Sequence, residues 1–525
     1  MNLDDSVNLA VENIAQFGVS DITKESLEKK LVELFKEEFN TEIRAKINRG
    51  NVFDMEFKPI QYLLTPKNRF VFDYRKAAII DPSCVAKYIA IVLMAASTIE
   101  KNRVPISDNI VFSSRFNPNG MNIFDQNINY NCWKQRTKEL ANDNNCSYVV
   151  QCDIAAFYDR INIHRIESTL ISIGVDLSIV KNINDLLLFW SKKDSYGIPV
   201  GNVASRILAE AALIDIDQYL IGESIKFVRY VDDYKLFAPN ITIAQRWMNK
   251  LTTRLFRDGL MLNTAKTNIQ VAKKDDSENV DDKQDEADVV LKLISKLTGG
   301  YNRITRTFIM PSSEKLEPFT KINVDHEIKE LDGINIVDFS GIQKIVIACL
   351  VQKKFGELLA IARACSKYMY ALDYFVDMLI KNKEFIPSGE KEKVADYYSE
   401  MIMNAEFYAL EWHEATIAKL LSNDSYFRKN TLLHIFKSPS KEVVTYPSMI
   451  ALEGLFGKLT RSEFRTIREW FDRCDDWEKR RLIHMSDAMP NDEKSAWAKA
   501  IKPSIGNDFL AVSCINKIIK GNYSI

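Results

Sequence analysis

The stretch FVRYVDDYKLF, Phe227 to Phe237, leaves the chain few ways to fold. Val, Tyr and Phe favour a pleated, half-buried surface, so two strand-forming runs flank the adjacent carboxylates Asp232 and Asp233. A connection that short reads as a tight hairpin, yet Asp-Asp is a poor choice for it, since such turns prefer Asn-Gly or Asp-Gly. Like charges side by side also repel unless a cation is near. Two readings fit this stretch alone: a solvated acidic turn, or carboxylates kept for a metal ion.

A second acid emerges from a strand-like run 79 residues earlier, in SYVVQCDIAAFYD. Val149, Val150, Cys152 and Ile154 surround Asp153, and a carboxylate in such an apolar setting needs a partner. Should Asp153 converge with Asp232 and Asp233, the cluster of hard oxygen ligands suits Mg²⁺ or Mn²⁺. Two such ions about 3.5–4 Å apart can activate an attacking oxygen and stabilise a leaving one in phosphoryl transfer. Between the acids, GIPVGNVAS (Gly197 to Ser205) sets glycines around a proline ahead of a helical run, which permits close backbone approach to a ligand. After them, DGLMLNTAKTNI carries Lys266, a candidate cation beside a leaving group. Each of these two segments is weak alone: one also reads as a plain turn, the other as a surface lysine.

Composition excludes several classes. The 525 residues are 46% hydrophobic and 27% charged, which suits two to four globular domains. The apolar run Tyr88 to Ala96 is too short to cross a bilayer, and the first ten residues lack a signal-peptide order, so a cytoplasmic protein without a membrane partner is expected. Eight cysteines without a CxxC pair argue against zinc ribbons and disulfide frameworks, and for reduced, mostly buried thiols. His413-Glu414 resembles half of a zinc-protease HExxH, but Ile417 stands where the second histidine belongs. The net charge of −1 divides as +1 over residues 1–270, −5 over 271–290 and +3 over 291–525. No segment has the basic excess of a domain that grips long duplexes.

Along the chain, residues 1–65 read as helical, with Leu27, Leu31, Leu34 and Phe35 on one stripe. Residues 66–272 alternate helical and β-rich pieces, an α+β region. Residues 273–290 form an acidic, aperiodic loop or linker. From 291 to 525 the pattern is helical: Phe355, Leu358, Leu359, Ala362 and Cys365 share a face, as do Leu372, Phe375, Val376, Leu379 and Ile380. Thr460 and Glu463 make a capping box ahead of Phe464, Ile467, Trp470 and Phe471. Successive amphipathic helices with short connections predict a helical-repeat or bundle domain.

In order, DIAAFYD, GIPVGNVAS, YVDD and GLMLNTAKT resemble the successive palm motifs of reverse transcriptases, and VFSSRF (Val111 to Phe116) is similar to their fingers segment. The resemblance covers about residues 100–270. It implies Asp153 and Asp232 as ligands of two Mg²⁺ (or Mn²⁺) ions, with Asp233 supporting them. It implies Tyr158 as a gate against ribose, Arg115 on the triphosphate of an incoming dNTP, Pro199 and Gly201 lining the nucleotide floor, and Lys266 as acid for the pyrophosphate. Two departures matter. Val200 stands where intron-type relatives have glutamine, which weakens the case for ordinary templated copying. No thumb sequence follows the last motif, and neither an RNase H nor an HNH-type site is evident. A palm and fingers followed by a long helical half resembles the abortive-infection reverse transcriptases of bacteria and prophages. That resemblance implies homo-oligomers, untemplated single-stranded DNA primed from a protein tyrosine and left covalently attached, and a role in phage defence. None of the 20 tyrosines is singled out, although Tyr523 lies on what reads as a mobile tail. The alternatives are a retron-like enzyme copying RNA, and an inert palm carrying a protein-binding helical scaffold.

Overall fold

The computed structural model describes residues 1–23, 26–67, 73–117, 122–272, 290, 316–331, 339–404, 406, 408–438 and 445–523. Nearly all of the acidic stretch expected as a linker, 273–289, lies outside the described residues. The chain divides into two compact units: Met1–Ile60 with Ile80–Asn279, and Gln61–Ile79 with Val280–Ile525.

The first unit opens with helices α1 (Leu3–Phe17), α2 (Ser26–Leu34) and α3 (Lys36–Ile47). Leu27, Leu31 and Phe35 are buried as the stripe predicts, but Leu34 is exposed. The helix breaks at Phe35, so the 3.6-residue period does not carry through the stripe. Strands β1 (Gln61–Pro66) and β2 (Tyr74–Ile79) come next in the chain and belong to the other unit. Helix α4 (Pro82–Asn102) is 21 residues long, capped by Asp81 with proline at its start. The helix outruns the apolar run legible in the sequence and is long and apolar enough to span a bilayer. Yet 78% of its most apolar window is buried inside the protein, against α1 and two helices introduced below.

Then follow α5 (Tyr130–Ala141), β3 (Tyr148–Asp153), α6 (Phe157–Arg160), α7 (Ile163–Ser172), α8 (Leu177–Trp190), α9 (Val203–Ala212) and α10 (Ile214–Gly222). The hairpin β4 (Phe227–Tyr230) and β5 (Asp233–Ala238), helix α11 (Ile241–Arg257) and β6 (Asn268–Val271) complete the unit. α4 packs on α8 and α9, and the Tyr88 hydroxyl lies 3.1 Å from Ser205 Oγ. The strands form one antiparallel sheet in the order β4-β5-β3-β6, on which α5 and α11 pack. Val150, Cys152, Tyr234 and Leu236 have no appreciable exposure, so the sheet's interior face is fully covered.

The second unit is helical apart from the β1–β2 hairpin, among the described residues. The capping box at Thr460 forms as expected, and Phe464, Ile467 and Phe471 are buried. Leu358, Ala362 and Cys365 are buried on one face, Leu372, Phe375, Val376 and Leu379 on another, while Phe355, Leu359 and Ile380 are half-buried. Helices pack on their next-but-one neighbours: Leu372–Lys381 on Glu411–Ser422, that helix on Tyr446–Gly454, then Asp476–Met485, then Phe509–Ile519. The hairpin joins this stack on Glu411–Ser422. All eight cysteines are free thiols, seven buried and Cys132 half-buried. Tyr523 is not on a free tail: its hydroxyl lies 3.3 Å from His484 Nδ1 and its ring sits under Lys494.

Candidate active site

The site grows from one strand register. β3 and β5 run antiparallel with Asp153, the last residue of β3, opposite Asp233, the first of β5. β4 pairs Tyr230 with Asp233, so the two-residue turn is Val231–Asp232, one residue earlier than the Asp-Asp pair suggests. The Ile154 N–H donates to the Asp232 carbonyl at 3.2 Å, which ties the end of β3 to the turn. Three aspartates thus stand at one corner of the sheet.

The turn explains why Asn-Gly is not needed. Val231 itself takes the positive φ, 55°. For a β-branched residue this conformation costs about 1–3 kcal/mol and persists only where the surroundings enforce it.

Lys266 comes to Asp153, with Nζ 2.9 Å from Oδ1 and 3.1 Å from Oδ2. Asn263, overlooked in the sequence although it stands in GLMLNTAKT, donates from Nδ2 to Asp153 Oδ2 at 3.0 Å, and its N–H donates to the Asp153 carbonyl at 2.7 Å. Asp233 has no such relief. Burial, then the charges of Asp232 and Asp153, push its carboxyl up to about 7, against the opposing pull of Lys266 and Lys235.

Tyr158 lies in α6, buried, and its carbonyl accepts from the Ile198 N–H at 3.0 Å. Burial raises its phenol pKa, Arg206 opposes the rise, and the Asp232 charge adds to it. In the Gly197–Ser205 loop, Gly197 (φ 92°) and Gly201 (φ 117°) occupy backbone that favours glycine. A Cβ at Gly197 would only touch the Asp159 carbonyl oxygen, 3.4 Å away, so the φ rather than crowding asks for glycine there. Pro199 and Gly201 are buried, and the Gly201 carbonyl accepts from the Asp21 N–H at 2.8 Å. Asp21 in turn pairs with Arg206, a contact with no local sign in the chain.

Arg115 is placed differently from expectation. It is 1% exposed and donates to Glu100 Oε1 (2.9 Å) and to the carbonyls of Val111 (3.0 Å) and Val104 (2.7 Å). A guanidinium so engaged is a structural tie, not a free hand for a triphosphate. The VFSSRF segment reads the same with the arginine turned in or out, and Glu100, on α4, decides between them.

Beneath the turn lies a buried ionic cluster that sequence reasoning missed. Arg229 is bidentate to Asp217 and pairs with Glu210 at 2.9 Å; Arg103 reaches Glu210 at 2.7 Å; Tyr234 donates its hydroxyl to Asp217 at 3.1 Å. One signal was available: Arg229 interrupts the strand run FVRYV, and a charge inside such a run needs a buried partner.

The residue types, three carboxylates at one corner, match the oxygen chemistry of Mg²⁺ or Mn²⁺, while Lys266 holds both Asp153 oxygens in this structure. Among the described residues no three His, Cys, Asp or Glu side chains already stand close enough to enclose an ion.

Residues 96–290 match a family model described as reverse transcriptase (RNA-dependent DNA polymerase), and a reverse transcriptase domain is present there. Such domains are in general dependent on divalent metal. No curated protein matches the chain. Among solved structures it is similar to the apo telomerase from Candida tropicalis, at 12% identity and a TM-score of 0.32, covering 79% of this chain and 73% of that one. It is also similar to the telomerase from Candida albicans in complex with a fragment of telomeric RNA, at 13% identity and a TM-score of 0.29, covering 75% and 69%.

Proposed function

We propose that the chain is a divalent-metal-dependent nucleotidyltransferase that makes untemplated DNA from dNTPs, primed on a protein tyrosine, in abortive-infection defence against phage. The observation that carries the nucleotidyl-transfer part is the convergence of Asp153, Asp232 and Asp233 at the strand ends, with Lys266 on Asp153. Asp153 and Asp232 are the residues to hold Mg²⁺ or Mn²⁺, with Asp233 supporting them. Bound there, the ions supply activation of the attacking oxygen and stabilisation of the leaving pyrophosphate.

The chain's own residues do the rest. Lys266 balances Asp153 in the resting site and, once those oxygens are claimed, has its Nζ proton to give to the departing pyrophosphate. The Tyr158 ring, fixed through its carbonyl to Ile198, excludes a ribose 2′-hydroxyl. Pro199 and Gly201 shape the floor beneath the nucleotide. Arg115 receives no role on the triphosphate.

Val200 after the proline and the absence of a recognisable thumb sequence support the untemplated reading. Next-but-one helix packing in the second unit supports a helical-repeat stack. Homo-oligomers and phage defence are what the resemblance to the abortive-infection group implies. A phenol oxygen can replace a primer 3′-hydroxyl as nucleophile. Tyr523, held against His484, is a poor primer in this arrangement. The test supplies purified protein with Mg²⁺ and labelled dNTPs, without primer or template, on a denaturing gel with and without protease. Label should migrate with the protein and shift on proteolysis. Label that appears only with an RNA template and primer would instead make this a conventional copying enzyme.

A further inference from the structure

Of the nine non-glycine residues with positive φ among the described residues, Val231 alone is β-branched, and it sits beside Asp232 in the turn. Both polar groups of that residue are held by buried side chains. Its N–H donates to Ser113 Oγ at 3.0 Å, and its carbonyl accepts from Arg229 Nη1 at 3.0 Å. Both side chains lead to one carboxylate: the Ser113 hydroxyl donates to Glu210 Oε1, and Arg229 Nη1 pairs with Oε2. A hydroxyl has one proton, so giving it to Glu210 leaves its lone pairs turned to the Val231 N–H. Arg103 fixes the other side, donating to Glu210 and to the carbonyls of Ser113 and Ser114.

Glu210 lies on α9, the helix that grows directly out of the Gly197–Ser205 loop. The catalytic turn and the loop under the nucleotide therefore share one anchor. Together with the Glu100–Arg115 pair, the cluster sets three arginines (103, 115, 229) against three acids (Glu100, Glu210, Asp217), so it is neutral as a whole.

We infer that Ser113 and Glu210 are positioning residues of the transferase: Glu210 orients the Ser113 hydroxyl, which locks the Val231 peptide in its left-handed conformation and so aims the Asp232 carboxylate. The inference rests on the nucleotidyltransferase reading above. Ser113 is the cleanest probe, because removing its hydroxyl leaves every buried charge paired.

Ser113→Ala should lower kcat for dNTP incorporation about 10- to 100-fold with KM for dNTP within about twofold, the pattern of lost transition-state alignment. Mn²⁺ affinity, read by paramagnetic resonance without turnover, should fall about tenfold, since a divalent site loses affinity when its ligands lose their supports. Ser113→Thr keeps the hydroxyl and should restore most of both values. Adding Val231→Gly to Ser113→Ala should restore part, because glycine adopts the same φ unaided. Ser113→Cys, a weaker hydrogen-bonding partner of similar size, serves if the alanine variant does not fold, and should fall between wild type and that pattern. Wild-type kcat and Mn²⁺ affinity in a folded Ser113→Ala or Ser113→Cys protein would overturn the inference, as would equal losses in the Ala and Thr variants. Absence of incorporation by the wild type would instead count against the transferase reading, and the Mn²⁺ comparison would still decide the role of Ser113.

Discussion

Asp233 carries the electrostatic burden of the corner: it is half-buried, faces Asp153 across the sheet and adjoins Asp232 in the chain. Lys266 relieves only Asp153 directly. Lys266→Ala should therefore reduce incorporation about 100- to 10,000-fold, a usual range for losing one positioned acid, and steady-state kinetics should show the loss in kcat. Tyr158→Ala should leave dNTP incorporation near wild type while raising use of rNTPs relative to dNTPs by about tenfold or more, a contrast of clash against no clash. Competition between labelled dNTP and rNTP reads that ratio. That Asp153, Asp232, Asp233 and Lys266 come together was legible only from the order of several short segments, each ambiguous alone. Arg115 lies elsewhere than its segment suggested, since its guanidinium is drawn in by Glu100, whose side chain local sequence cannot orient. The Ser113–Glu210 support was invisible for the same reason: those residues are 97 apart in the chain.

At the scale of elements, the hairpin was readable from its β-formers, but its turn was displaced by one residue. Propensity could not reveal that tertiary hydrogen bonds sustain a valine at φ 55°. The Gly197–Ser205 loop was legible as a close-approach loop, though not what approaches it. A side chain at Gly201 would lie 3.1 Å from Ile22 Cδ1 and 3.2 Å from Ser20 Oγ, on backbone at φ 117°. Gly201→Ala should thus cost about 1–3 kcal/mol by urea denaturation, whereas Gly222→Ala, with nothing within 4 Å and no positive φ, should be neutral or mildly stabilising. On the helix Glu411–Ser422, burial pulls His413 down to about 4, with no hydrogen-bond partner at Nε2. A depressed histidine stabilises fully above its unfolded pKa near 6.5 and loses that contribution as pH falls through 4. Glu414 beside it is pushed up to about 7, by burial and then by Glu411, and acts in the opposite sense between pH 4.5 and 7. Comparison with His413→Gln isolates the histidine: between pH 7 and 4 the wild type should lose up to about 3 kcal/mol more than the variant.

At the scale of the whole molecule, the chain enters the helical unit early, for β1 and β2 only, and returns there after the transferase unit is complete. Gln61 accepts from both the N–H and the hydroxyl of Thr445, each at 3.2 Å, across 384 residues of sequence. No local pattern encodes such a contact, so the sequence showed a helical second half and an α+β first half without showing this exchange. A fragment ending at residue 279 should expose Leu63, buried in the full chain, and limited proteolysis should cut it within 61–79 at sites the intact protein protects. The proposed chemistry stands or falls with nucleotidyl transfer at the Asp153, Asp232 and Asp233 corner. Incorporation of labelled dNTPs by the full-length protein, with Mg²⁺ or with chelator, beside folded Asp232→Asn, tests it most directly. Label is expected with Mg²⁺, none with chelator, and a loss of about a thousandfold or more in the variant, on the scale of removing an essential electrostatic group. Equal incorporation by Asp232→Asn, or label that survives chelation, would contradict it.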